Sequence, residues 1–104
     1  MTQEQLVKEF LSGATGGICG GAGNLKILDN KLIHYQTVIA ERVDGKVFLN
    51  MTRYSVVTGR IQKMVQTSVE QDNLVEVKRV QEGYKNSLQN FSDYTYSMVK
   101  KGVG

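Results

Sequence analysis

The spacing of apolar residues changes rhythm along this chain. Leu6, Val7, Phe10 and Leu11 recur at three- and four-residue steps, which predicts a short amphipathic helix over residues 2–12. Thr2 can cap it with Gln5 as the reciprocal partner. Glu4 suits the positive end of the helix dipole, and Gly13 supplies a C-terminal stop.

From Asn24 the period becomes two. The runs "NLKIL" and "KLIHYQTVIAERV" flank Asp29-Asn30, and "VIAERV" and "KVFLN" flank Asp44-Gly45; both pairs favour the positive φ of tight hairpin turns. Three antiparallel strands follow, over residues 24–28, 31–43 and 46–50. Leu32, Tyr35 and Val38 do not keep one alternation, so the long middle strand should bend or bulge near Gln36-Thr37. Beyond it, Val38, Ala40 and Arg42 should share one face, and Ile39, Glu41 and Val43 the other.

Helical spacing returns after Thr58, which can cap a second helix; Ile61, Met64, Val65, Ser68 and Val69 line its apolar side and Asp72-Asn73 closes it. The run "LVEVKRV", residues 74–80, fits either helix or strand, and its β-branched residues tip the reading to strand. Leu88, Phe91, Tyr94 and Met98 predict a closing helix over residues 87–101. The fold class is thus α+β: a three- to four-stranded antiparallel meander packed by two to three helices, in one domain over residues 1–104.

Between the first helix and the strands lies "GATGGICGGAG", residues 13–23. Glycine-rich loops can cradle phosphate, but this one lacks a Gly-Lys-Ser/Thr ending and does not follow a strand or open a helix. It reads as a flexible connector, or as a loop ordered on binding.

Composition narrows the chemistry. With 40% hydrophobic and 22% charged residues the chain resembles an ordinary soluble domain. No apolar run reaches the roughly 18 residues of a membrane span, and the N-terminus lacks the pattern of a secretory signal. A lone cysteine, Cys19, forms no internal disulfide, which points to a cytoplasmic setting. One histidine, His34, and one cysteine make a poor metal set, so no metal or cofactor is expected. A Cys19–His34 dyad would need a contact made only by the fold. Ser55 and Thr58 have no evident base partner and are explained as helix caps, so the chain does not read as an enzyme.

Charge adds one positive signal. The net charge is +3, and from Met51 to Val69 the only charged residues are Arg53, Arg60 and Lys63. With Asn50, Thr52 and Tyr54 they make a polar, cationic candidate surface for a partner. Nucleic acid is the alternative partner, with the cations on phosphate and Tyr54 as a stacking face. All five tyrosines, however, read first as half-buried anchors.

Tyr35, Thr37, Ile39, Ala40, Gly45, Lys46, Asn50, Tyr54, Ser55 and Thr58 form a pattern of Tyr-x-Thr-x-Ile-Ala, a Gly-Lys hairpin, an Asn, then Tyr-Ser and a Thr before a helix. Over residues 32–62 this resembles a family of short, mostly uncharacterised proteins of phages and mobile elements. Where relatives often carry two adjacent threonines, this chain has Val57-Thr58. The resemblance implies a phage-like origin. It implies an accessory protein that acts by protein–protein interaction in an infected cell, inhibiting a host defence protein such as a CRISPR effector nuclease in the manner of anti-CRISPR proteins. A small basic nucleic-acid-binding protein of a phage is the rival.

Overall fold

The computed structural model describes residues 2–19 and 24–91. They form an α+β fold of two helices and one six-stranded mixed sheet. In chain order the elements are α1 (Gln3–Leu11), β1 (Gly16–Cys19), β2 (Leu25–Leu28), β3 (Lys31–His34), β4 (Thr37–Val43), β5 (Lys46–Asn50), α2 (Val56–Ser68) and β6 (Leu74–Val77), with 3-10 turns at Gln71–Asn73 and Leu88–Phe91. Strand order in the sheet follows the chain; β1 to β5 are antiparallel, and β6 lies parallel to β5. The sheet is therefore larger than the predicted three to four strands and is not purely antiparallel. The reading of residues 74–80 as strand holds for Leu74–Val77.

Helix α1 forms where its pattern predicts. Thr2 and Gln5 make a reciprocal capping box, and Gly13, at φ 107°, lets the chain turn back so that the Gly13 and Ala14 N–H groups reach the carbonyls of Phe10 and Glu9. Much of the predicted closing helix lies outside the described residues; within them Leu88–Phe91 is a single 3-10 turn.

Three departures from the pattern have identifiable causes. The first is β1, which occupies the segment read as a flexible glycine loop. Gly16 and Gly17 pair with Leu28 and Ile27, and a Cβ on Gly17 would lie 2.9 Å from Leu6 Cδ1. Glycine here lets an edge strand run directly beneath α1. Because glycine carries no side chain to alternate, the strand leaves no hydrophobic signature.

The second departure is a tight turn at Tyr35-Gln36. It splits the predicted middle strand into β3 and β4, with His34 opposite Thr37. Asp29, Asp44 and Gly45 supply the left-handed conformation at the neighbouring hairpins, as their residue types suggest. Tyr35 supplies it here at φ 57°, where a side chain with a Cβ costs about 1–2 kcal/mol. The ring remains 62% exposed, so Tyr35 is not the half-buried anchor expected of it.

The third is a β-bulge. Ile33 pairs with Val38 but Leu32 pairs with Ala40, so Ile39 is an extra residue beyond the turn, which itself falls where the strand was expected to bend. The insertion shifts the parity of β4. Ile39 and Ala40 both join the core beneath the helices, and Val38 joins the opposite core; Val38 and Ile39 thus exchange their predicted faces, while Ala40 still shares a face with Arg42 and Glu41 with Val43.

The bulge divides the apolar residues into two cores. Leu6, Val7 and Phe10 of α1 and Ile61 and Val65 of α2 cover Leu25, Ile27, Leu32, Ile39, Val47 and Leu49. Ile33, Val38, Phe48, Val77, Val80 and Leu88 pack on the other face. There the buried Glu41 carboxylate accepts from the Ser87 hydroxyl and the Leu88 N–H, both at 2.9 Å, and fixes the last 3-10 turn. Arg42 ties α1 to the sheet, with its guanidinium 5.0 Å above the Phe10 ring and donating to the Ala14 carbonyl at 2.8 Å.

Gly17→Ala is expected to destabilise the fold by about 1–3 kcal/mol, because its φ is 154° and its Cβ would press on Leu6. Gly16→Ala has open space and should cost much less. Paired urea denaturation curves measure both.

Candidate functional site

The segment leaving β5 is held by the end of that strand. Asn50 is fully buried. Its amide nitrogen donates to the Val38 carbonyl at 3.1 Å and to Tyr54 Oη at 3.0 Å, and its side-chain oxygen accepts from Thr52 N–H at 2.9 Å. Gln62 of α2, also buried, donates to the Asn50 and Thr52 carbonyls at 2.6 and 2.8 Å. Tyr54 Oη donates to the Val80 carbonyl, and Thr52 Oγ1 accepts from Val80 N–H at 3.0 Å. One polar knot thus joins β4, β5, the start of α2 and the chain beyond β6.

This geometry corrects part of the predicted partner surface. Asn50, fully buried, cannot meet a partner. Thr52 and Tyr54 are half-buried, and their polar atoms are occupied by the knot. All three hold the surface in place from behind.

Arg53, Arg60 and Lys63 stand outward as the pattern predicts, and among the described residues none has a carboxylate in ion-pair range. Helix α2 starts at Val56, not at Thr58, because Ser55 is its N-cap and its hydroxyl accepts from Thr58 N–H at 3.2 Å. The earlier start puts Val56 and Val57 on the first turn, 75% and 45% exposed. Val56, Arg60 and Lys63 follow four- and three-residue steps and share the solvent face. Arg53, Val56, Gly59 and Lys63 line a groove of about 610 Å³ floored by Met51 and Gln62. No acidic residue occupies the first turn of α2, so its dipole adds to the positive potential.

Thr58 faces inward and is buried. Its hydroxyl lies 2.8 Å from His34 Nδ1 and 3.0 Å from Ser55 Oγ. Sequence reasoning missed this chain of contacts: it took the two hydroxyls as lacking a base partner. His34 and Thr58 are separated by 24 positions, and only the folding of α2 over β3 joins them. Burial lowers the His34 pKa from its ordinary 6.5 and favours the neutral ring. Cys19 and His34 both lie opposite Leu25 on strands flanking β2, so two strand spacings, about 9–10 Å, separate their backbones.

Among the described residues no group of three or more His, Cys, Asp or Glu side chains could hold a metal ion, and no helix is long and apolar enough to cross a membrane. The chain matches no protein-family model, no curated protein and no solved structure.

Asn50→Ala is expected to cost about 3 kcal/mol, since it strands buried polar partners on several elements; a chemical denaturation midpoint shift measures it. His34 gives a pH signature. Its folded pKa lies below the unfolded value, so its contribution to stability is fully present above about pH 6.5 and is lost as pH falls from there through the folded pKa. Stability of the native chain should therefore drop more between about pH 7.5 and 5.5 than that of His34→Gln, measured by urea denaturation at each pH.

Proposed function

We propose that the chain is a phage-type accessory protein that binds another protein through the exposed face of α2 and inhibits a host defence component such as a CRISPR effector nuclease. The observation that carries the binding mode is the composition of that face. Arg53, Arg60 and Lys63 surround two valines left in solvent, with no carboxylate pairing the cations among the described residues. Exposed aliphatic area beside unpaired cations suits an acidic protein surface that also offers apolar contact. The defence target is suggested by the resemblance of residues 32–62 to phage and mobile-element proteins.

The rival reading, a small nucleic-acid-binding protein, is less well supported. Tyr54 is half-buried with its hydroxyl tied to Val80 and Asn50, which limits it as a stacking platform for a strand, and three cations alone give weak, shallowly salt-dependent binding.

The native chain is expected to form a complex with a CRISPR effector nuclease on size-exclusion chromatography and to reduce target cleavage. The double variant Arg60→Glu/Lys63→Glu should change stability by less than about 0.5 kcal/mol and lose both effects. A native chain that neither binds nor inhibits the nuclease would remove the defence assignment. A folded double variant that still inhibits would remove the surface assignment. Fluorescence anisotropy with single- and double-stranded DNA and RNA at two salt concentrations checks the rival, which requires salt-sensitive binding.

A further inference from the structure

A second depression lies beside the knuckle and serves no part of the function proposed above. It measures about 530 Å³, within the range of about 300–1,000 Å³ typical of small-molecule sites. Ile39 forms an apolar part of its wall, and His34, Tyr35 and Tyr54 place three rings around it. Asn24 and Gln36 bring carboxamides, the Asn24 nitrogen donating to Tyr35 Oη at 3.4 Å and so tying the amide to the ring, and Glu82 adds a carboxylate. The described lining contains no lysine or arginine.

Two features mark this depression as more than a gap between elements. Tyr35 holds a left-handed conformation that asparagine or glycine would adopt with less strain, yet it leaves its ring largely in solvent at the rim. Strained residues of this kind gather at binding sites, where the surrounding structure enforces them. Here the enforcement is visible: Tyr35 N–H donates to the Asn24 carbonyl at 2.6 Å, and its ring meets the His34 ring edge-on at 4.6 Å. His34 is in turn fixed by Thr58 through Nδ1, which leaves Nε2 as the ring nitrogen that bond does not use. Moreover, Tyr35, Thr37, Ile39, Tyr54 and Thr58, spread over the β3–β4 turn, β4, the segment after β5 and α2, all line this one depression.

We propose that this cleft binds an uncharged planar nitrogen heterocycle, a nucleobase carried as a nucleoside, with the ring stacked on Tyr35 and its polar edge read by the Asn24 and Gln36 amides. Aromatic walls favour a flat ring, and paired amide donors and acceptors match the edge of a base. A carboxylate, with no cation among the described lining residues, disfavours a phosphate inside the cleft.

The test is an NMR titration of the full chain with adenosine, guanosine, cytidine and uridine, each beside its 5′-monophosphate, following the His34 and Tyr35 ring signals. At least one nucleoside should move both sets of signals saturably, with a dissociation constant below about 5 mM. Its monophosphate should bind several-fold more weakly. Tyr35→Asn should raise the melting temperature, because asparagine accepts the left-handed conformation, while weakening nucleoside binding about tenfold through loss of stacking. No saturable shift with any nucleoside overturns the proposal. So does a monophosphate that binds more tightly than its nucleoside, or a folded Tyr35→Asn variant that binds as well as the native chain.

Discussion

The side chain of Asn50 is the constraint on which the upper half of this molecule depends. It is buried at the end of β5 with its donors and its acceptor all engaged, to Val38, Tyr54 and Thr52. A buried amide is costly unless every hydrogen bond is made, and when they are made the arrangement has few alternatives. Gln62 completes the arrangement from the helix side by covering the Asn50 and Thr52 carbonyls. The direction in which the chain leaves the sheet is therefore set by a polar network, and the start of α2 follows from it. Arg53, Val56, Arg60 and Lys63 owe their outward position to side chains that no partner can reach.

A second constraint is the irregularity of the β3–β4 hairpin. The turn at Tyr35-Gln36 and the bulge at Ile39 lie within a few residues of each other. Together they let β4 feed Val38 to one core while Ile39 and Ala40 enter the other. A regular strand of this length would present strict alternation and would leave His34 and Thr37 inside a continuous ladder. The interruption instead places them at the end of a hairpin, where α2 brings Thr58 onto His34.

The cationic groove and the aromatic cleft are neighbours that share Tyr54 as a wall. Their chemistry differs sharply. The groove has exposed positive charge and aliphatic surface, whereas the cleft has rings, amides and a carboxylate. Tyr54 is fixed at its hydroxyl between Asn50 and Val80, so the same knot that aims the knuckle also holds one side of the cleft.

The local features of this chain were legible in its sequence because they depend on neighbours a few residues apart. Thr2 and Gln5 cap α1, Asp44-Gly45 turns the β4–β5 hairpin, and Arg60 and Lys63 face solvent because α2 buries its other side. What the pattern missed has a common physical origin. Gly16 and Gly17 form a strand because β2 offers free backbone groups and Leu6 leaves no room for a side chain, and neither fact is local. Tyr35 takes a turn conformation its residue type disfavours, because flanking pairings outweigh a small backbone preference. Asn50, read as part of a partner surface, and His34 are both polar, yet both are buried because partners many positions away satisfy them. The sequence by itself determined α1, the β4–β5 hairpin, most of α2 and the exposed charges. Only tertiary structure decided which polar groups went inside, since the cost of burying one is set by partners that the chain supplies from a distance.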